Sequence, residues 1–275
     1  MPVTAPRLRR VSDVRLVEVT STRRAVRLVP AVLAVGAVLA QIAYPLLDAP
    51  GQDGLTAATI ASVLLFCGAS VTHATLTLGA RAAAVLLLVA GGIGLVAEAV
   101  GVATGFPFGE YAYAGTLGPQ LLGVPLLVPL AWVMMAYPTL LAGRLLARGW
   151  LAIPLAAWAL ASWDLFLDPQ MVAAGHWTWA FPSPGLPGVD GVPLTNFAGW
   201  LLVALVMQAG LHLLVPATPV AASTAVPFAL LAWTWLGSTL ANAAFFGRPA
   251  VALWGFAAMG LVVAPALVTA RRGRA

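Results

Sequence analysis

The chain reads as long apolar runs separated by short polar joins. A helix that crosses a bilayer needs about 20 mostly apolar residues. Eight runs qualify, at 28–47, 57–78, 82–103, 119–141, 150–167, 194–215, 226–246 and 251–268. The pattern predicts an all-α, polytopic bundle of about eight transmembrane spans, forming one domain over 28–270. Residues 1–27 are predicted to be a basic cytoplasmic tail, and 271–275 a second one. Two joins, 104–118 and 168–193, are longer than the rest and rich in Gly, Pro and aromatic residues.

Composition supports this reading. Hydrophobic residues make up 61% of the chain and charged residues 8%, against about 25% charged in soluble domains. Such a chain cannot cover a globular surface, and disorder needs the opposite composition. The 14 basic residues are all arginine and, against nine acids, give a formal net charge of +5. They sit at segment ends and not in a patch with polar or aromatic contact residues, which argues against nucleic acid as a partner. With the N-terminus in the cytoplasm, every arginine but Arg248 falls on one side: seven from Arg7 to Arg27, then Arg81, Arg144, Arg148, Arg271, Arg272 and Arg274. The other side holds Asp48, Asp53, Glu110 and Asp190. The positive-inside rule then predicts a multi-pass cell-membrane protein with both termini cytoplasmic. Arg23-Arg24 precede a run long enough to span, with no clear cleavage site after it, so the first run is read as a retained anchor. Cys67 is the one cysteine; it leaves no disulfide framework and no cysteine metal site. His73, His176 and His212 lack metal-ligand spacing, so no metal is expected.

A repeat frames the candidate chemistry. Gly123-Val-Pro-Leu126 returns as Gly191-Val-Pro-Leu194, and each copy is followed by a tryptophan at the same spacing, Trp132 and Trp200. Upstream, Gly109-Glu-Tyr-Ala-Tyr113 matches Gly175-His-Trp-Thr-Trp179, and Glu98 matches Asp164. Each copy is thus an acid late in an outgoing helix, an aromatic loop on the outer face, and a returning helix. The repeat units cover about 82–141 and 150–215 and form parallel helical hairpins. Glu98 and Asp164 are therefore expected at similar depth in the outer leaflet.

Glu98, Asp164 and Asp168 are the acids in or ending the apolar spans beyond the first loop. An ionisable group in hydrocarbon costs at least about 2.5–3.5 kcal/mol on insertion scales, so each must face a cavity or a partner. No arginine lies within a span to neutralise them. A carboxyl in such surroundings favours its protonated form, which is what a general acid needs. Asp164 and Asp168 share a helix face at i, i+4, although Asp168 can equally end its helix before Pro169. Their run, Asp-Leu-Phe-Leu-Asp, lacks the second aspartate cluster that a magnesium–diphosphate site needs. Tyr111, Tyr113, Trp132, Trp163, Trp177, Trp179 and Trp200 fall in the predicted outer half, as an aromatic belt or as a wall for a long apolar substrate. Such rings also stabilise a developing cation. His176 lies in one aromatic loop, and Asn196 at the outer start of its helix is placed to orient a water.

Several ordered stretches carry a resemblance. They are Gly105-Phe-Pro-Phe-Gly-Glu-Tyr-Ala-Tyr113, Leu117-Gly-Pro119 with Gly123-Val-Pro-Leu126 and Trp132, Trp163-Asp164-Leu165 with Asp168-Pro169, and Gly191-Val-Pro-Leu-Thr-Asn-Phe197 with Gly199-Trp200. Together they resemble the integral-membrane carotenoid hydratases of the CruF type, closely over Glu98 to Trp200 and by hydropathy alone in the flanking helices. The resemblance implies addition of water to the terminal isopropylidene double bond of an acyclic carotenoid end, giving a tertiary alcohol. It implies a carotenoid substrate within the bilayer, with water, membrane lipids and other carotenoid-pathway membrane enzymes as partners. Chemistry then suggests roles. A protonated Glu98 or Asp164 gives its proton to the less substituted alkene carbon. Trp163, Trp177 or Tyr111 shields the tertiary cation. Water oriented by the second carboxylate or by Asn196 attacks it. This scheme calls for no cofactor. The alternative is a proton-coupled transporter of a small apolar or lipid-like substrate, and a further one is a non-catalytic carotenoid-binding subunit.

Overall fold

In a computed structural model the described residues are 28–47, 52–217 and 223–272. The predicted tail 1–27, with Asp48 and Arg274, lies outside them. Among the described residues eight long helices run in order: α1 (Leu28–Leu46), α2 (Gln52–Leu78), α3 (Ala80–Thr104), α4 (Leu127–Leu146), α5 (Gly149–Ala173), α6 (Leu194–Leu214), α7 (Ala225–Ala244) and α8 (Pro249–Arg272). All but α7 are long and apolar enough to cross a membrane. Helix α7 is 20 residues long, but Trp233, Thr234, Trp235, Ser238, Thr239 and Asn242 dilute its apolar character. The fold is a polytopic helical bundle, as the hydropathy pattern predicts.

Helices α4 and α5 form the centre. Their spans are 72% and 61% buried, against 11% for α1. Helix α4 packs on α2, α5 and α8, and α5 packs on α6 and α8. The outward faces remain apolar, with Leu88, Leu202, Leu253 and Leu261 exposed. That is the reverse of a soluble surface and suits a lipid surround.

Two boundaries depart from the sequence reading. The predicted span 119–141 begins instead at Leu127. The residues before it form a short hairpin, β2 (Gln120–Leu121) with β3 (Val124–Pro125), turning at Leu122 and Gly123. Pro119, Pro125 and two glycines override an apolar run that hydropathy alone reads as helix. Helix α5 runs past the predicted end at 167 to Ala173, with Pro169 inside it. Asp168 therefore does not end its helix.

The two aromatic loops form an antiparallel pair, β1 (Tyr111–Tyr113) and β4 (Trp177–Trp179). Tyr111 faces Trp179, Ala112 faces Thr178 and Tyr113 faces Trp177. The repeat equates Tyr111 with Trp177 and Tyr113 with Trp179, so half a turn about the ladder's centre exchanges the copies. Helices α3 and α5 thus deliver their C-terminal ends to one face of the bundle. Backbone bonds from Ala114 to the His176 carbonyl (2.9 Å) and from Ala180 to the Glu110 carbonyl (2.9 Å) extend the pairing at both ends.

Candidate functional site

Helix α3 presents Glu98 between two glycines on the same face, Gly94 and Gly101, at i−4 and i+3. A Cβ at Gly94 would lie 2.7 Å from Trp132 Cδ1, and one at Gly101 would lie 2.8 Å from the Tyr111 hydroxyl. The bare backbone lets an indole and a phenol lie directly on the helix beside the carboxyl. Glu98 is 5% exposed. Tyr111 and Tyr113 donate to its Oε2 at 2.6 and 2.8 Å, and Trp132 Nε1 donates to Oε1 at 3.2 Å. The Tyr111 hydroxyl also stands 3.3 Å from the Glu98 backbone carbonyl. Burial pushes both phenols above their ordinary range, so they remain protonated.

Helix α5 supplies the second acidic group. Asp168 Oδ1 accepts from Trp177 Nε1 at 3.1 Å, and its Oδ2 accepts from the Asn196 amide. The same amide nitrogen donates to Asp164 Oδ2 at 2.8 Å. Asp164 is 0% exposed and its Oδ1 has no partner.

One cavity of about 170 Å³ joins these elements. Glu98, Asp168 and Asn196 line it, roofed by Tyr111, Tyr113, Trp177 and Trp179 of the strand pair. Trp132, Trp163 and Trp200 form a wall. Trp132 and Trp200, equivalent in the repeat, stack at 3.9 Å with planes 18° apart, and Trp163 meets Trp200 edge-on at 5.9 Å. The opposite side, from α1, α2 and α7, is apolar apart from hydroxyls and the Gln41 amide. Gln41 Oε1 accepts from Trp233 Nε1 at 2.7 Å, closing α1 over α7.

The structure corrects two expectations. Asp164 does not share the void with Glu98; it lies behind Asn196, and Asp168 takes its place in the wall. The repeat equates Glu98 with Asp164, but the shorter aspartate, with an amide in front of it, does not reach the cavity. His176 does not line the cavity either. Its Nδ1 bonds the Thr116 hydroxyl at 2.7 Å and its carbonyl serves the strand pair, so it braces the roof. Burial lowers its imidazole below the ordinary range, which keeps it neutral. Sequence reasoning missed Gly94 and Gly101, whose spacing about Glu98 was the available signal. It also missed Phe108, whose carbonyl accepts from Trp179 Nε1 at 3.0 Å. Among the described residues, no three His, Cys, Asp or Glu side chains converge as metal ligands.

Comparison with known proteins adds an independent line. A family model described as carotenoid biosynthesis protein matches residues 58–267. Over 111 residues the chain is 40% identical to a protein of Haloarcula japonica named bisanhydrobacterioruberin hydratase, a stretch covering 38% of this chain and 36% of that relative. The match thus spans about a third of the relative's length. No solved structure matches the chain.

Proposed function

This chain belongs to the carotenoid biosynthesis protein family, and from that premise we propose that it hydrates the terminal isopropylidene double bond of an acyclic carotenoid end to a tertiary alcohol. The observation that carries the reading is one apolar, aromatic-walled cavity holding two carboxyls on different helices, Glu98 and Asp168. The hydratase name of the Haloarcula relative supports the reaction class.

Hydrogen-bond inventory divides the two roles. An indole N–H can only donate, whereas a hydroxyl donates and accepts. Around Glu98 Oε2 both neighbours are phenols. Tyr111 can turn its proton to the Glu98 backbone carbonyl and accept from a protonated Oε2. Glu98 therefore has room for a proton and is the acid. Asp168 receives an N–H on each oxygen, which suits a carboxylate and makes it the base.

Glu98 protonates the less substituted alkene carbon, and the positive charge develops on the tertiary carbon. The faces of Trp132, Trp163 and Trp200 shield that cation, each contact worth about 0.5–2 kcal/mol. Water attacks the cation and loses a proton to Asp168. The net change is addition of one water, and one proton returned from Asp168 to Glu98 resets the pair. The small cavity takes the chain end, with the rest of the polyene in lipid. On the arginine asymmetry, we place both termini in the cytoplasm and the strand-paired roof on the outer face.

The test is expression of the full chain in cells that accumulate an acyclic carotenoid, with chromatography and mass spectrometry of the pigments. A more polar product heavier by one water is expected, and its loss in Glu98→Gln and Asp168→Asn. Export of unchanged pigment would instead favour transport.

A further inference from the structure

Asp164 is buried, does not line the cavity of Glu98 and Asp168, and contacts no cation among the described residues, so it needs a reason to exist. Its one side-chain donor is the Asn196 amide, which also serves Asp168. The shared nitrogen holds the two carboxyls side by side, Oδ2 of each meeting it.

Resting on the hydration reading, we propose that Asp164 is a positioning residue that carries a proton and, through Asn196, fixes Asp168 and the attacking water. Two carboxylates on one amide in an apolar interior repel, and one proton between them removes that repulsion. Asp164 is the member with an oxygen that no donor addresses, Oδ1, whereas both Asp168 oxygens receive an N–H. The proton therefore belongs to Asp164. Asn196 spends its amide nitrogen on the two carboxyls, which settles which way its amide faces. Its carbonyl oxygen is left as the acceptor that a cavity water meets beside Asp168. Without Asp164 the amide is free to turn over, and the water loses this acceptor.

The test uses the full chain in liposomes with an acyclic carotenoid, turnover being normalised to folded protein. Asp164→Asn keeps an acceptor for Asn196 and a donor for Asp168, so kcat should stay within about 3-fold of wild type. Asp164→Ala should lower kcat about 10–100-fold, the worth of one charge-assisted hydrogen bond, with KM little changed. Rescue by asparagine and the kcat-specific loss are effects that a purely structural residue does not produce. Asp164→Asn as inactive as Asp168→Asn would make Asp164 a direct proton donor and overturn the proposal. Full turnover in folded Asp164→Ala would also overturn it. A separate infrared measurement needs no turnover: at neutral pH the wild type should show two protonated-carboxyl contributions, of which Glu98→Gln removes one and Asp164→Asn the other, and an Asp164→Asn spectrum identical to wild type in this region refutes the assignment. Failure of the wild type to hydrate any acyclic carotenoid would remove the functional reading, while the infrared result still decides the proton's place.

Discussion

Gly101→Ala tests how closely the site depends on backbone left bare beside Glu98. The new Cβ would stand 2.8 Å from the Tyr111 hydroxyl, 2.9 Å from Phe108 Cδ2 and 3.0 Å from Tyr111 Cε1. Carbon contacts settle at about 3.5–4.0 Å, so the phenol must withdraw by roughly 0.6–1 Å. The Tyr111–Glu98 bond, now 2.6 Å, would then exceed the usual limit of about 3.2 Å. Once Glu98 has given its proton away, that bond is made to a carboxylate and is worth about 1.5–3 kcal/mol. The rate should fall about 10–150-fold. Stability should fall by no more than about 2 kcal/mol, because alanine gains about 1 kcal/mol of helix propensity over glycine against an overpacking cost of about 1–3 kcal/mol. The assay is the initial rate of pigment conversion per folded protein, beside a thermal melt. If the substitution acts through Tyr111, adding it to Tyr111→Phe should cost nothing further. A folded Gly101→Ala protein at the wild-type rate would refute the reasoning.

Other expectations follow from the same geometry. Glu98→Gln and Asp168→Asn should each bring conversion below detection with normal protein yield, measured by pigment chromatography and immunoblot. Trp132→Phe leaves Glu98 Oε1 without its donor and should cost about 1–3 kcal/mol, read as a lower melting temperature and a reduced rate. Arg144 on α4 donates to the carbonyls of Leu211, His212, Val215 and Pro216 where α6 ends, the shortest bond being 2.8 Å. Arg144→Met should lower stability by about 1–3 kcal/mol, while the rate per folded protein stays unchanged because Arg144 does not line the cavity.

Hydropathy was enough to place the helices, since each span must satisfy its own backbone bonds in lipid. It failed where turn chemistry competed, at Pro119 to Leu126, and where tertiary contacts overrode the pre-proline bias, at Asp168. The carboxyls were legible because no cation compensates them. Which of Asp164 and Asp168 reaches the cavity was not, because helical spacing gives a shared face without saying that an amide from α6 stands before one of them. The alternation Tyr-Ala-Tyr and Trp-Thr-Trp carries the two-residue period of a strand. Strands of three residues declare themselves only through a partner, and the partner lay 66 residues away.

That ladder has a bearing on biogenesis. The ribosome delivers α3, with Glu98, well before Trp177–Trp179 exist. Until α5 and α6 have inserted, with β4 between them, β1 has unpaired backbone and Trp132 has no Trp200 to stack upon. The reaction chamber is thus a late product of assembly, closed when the second half of the chain docks upon the first. Two polypeptides severed between Leu146 and Gly149 would be expected to regain activity only when co-inserted, neither half being competent alone.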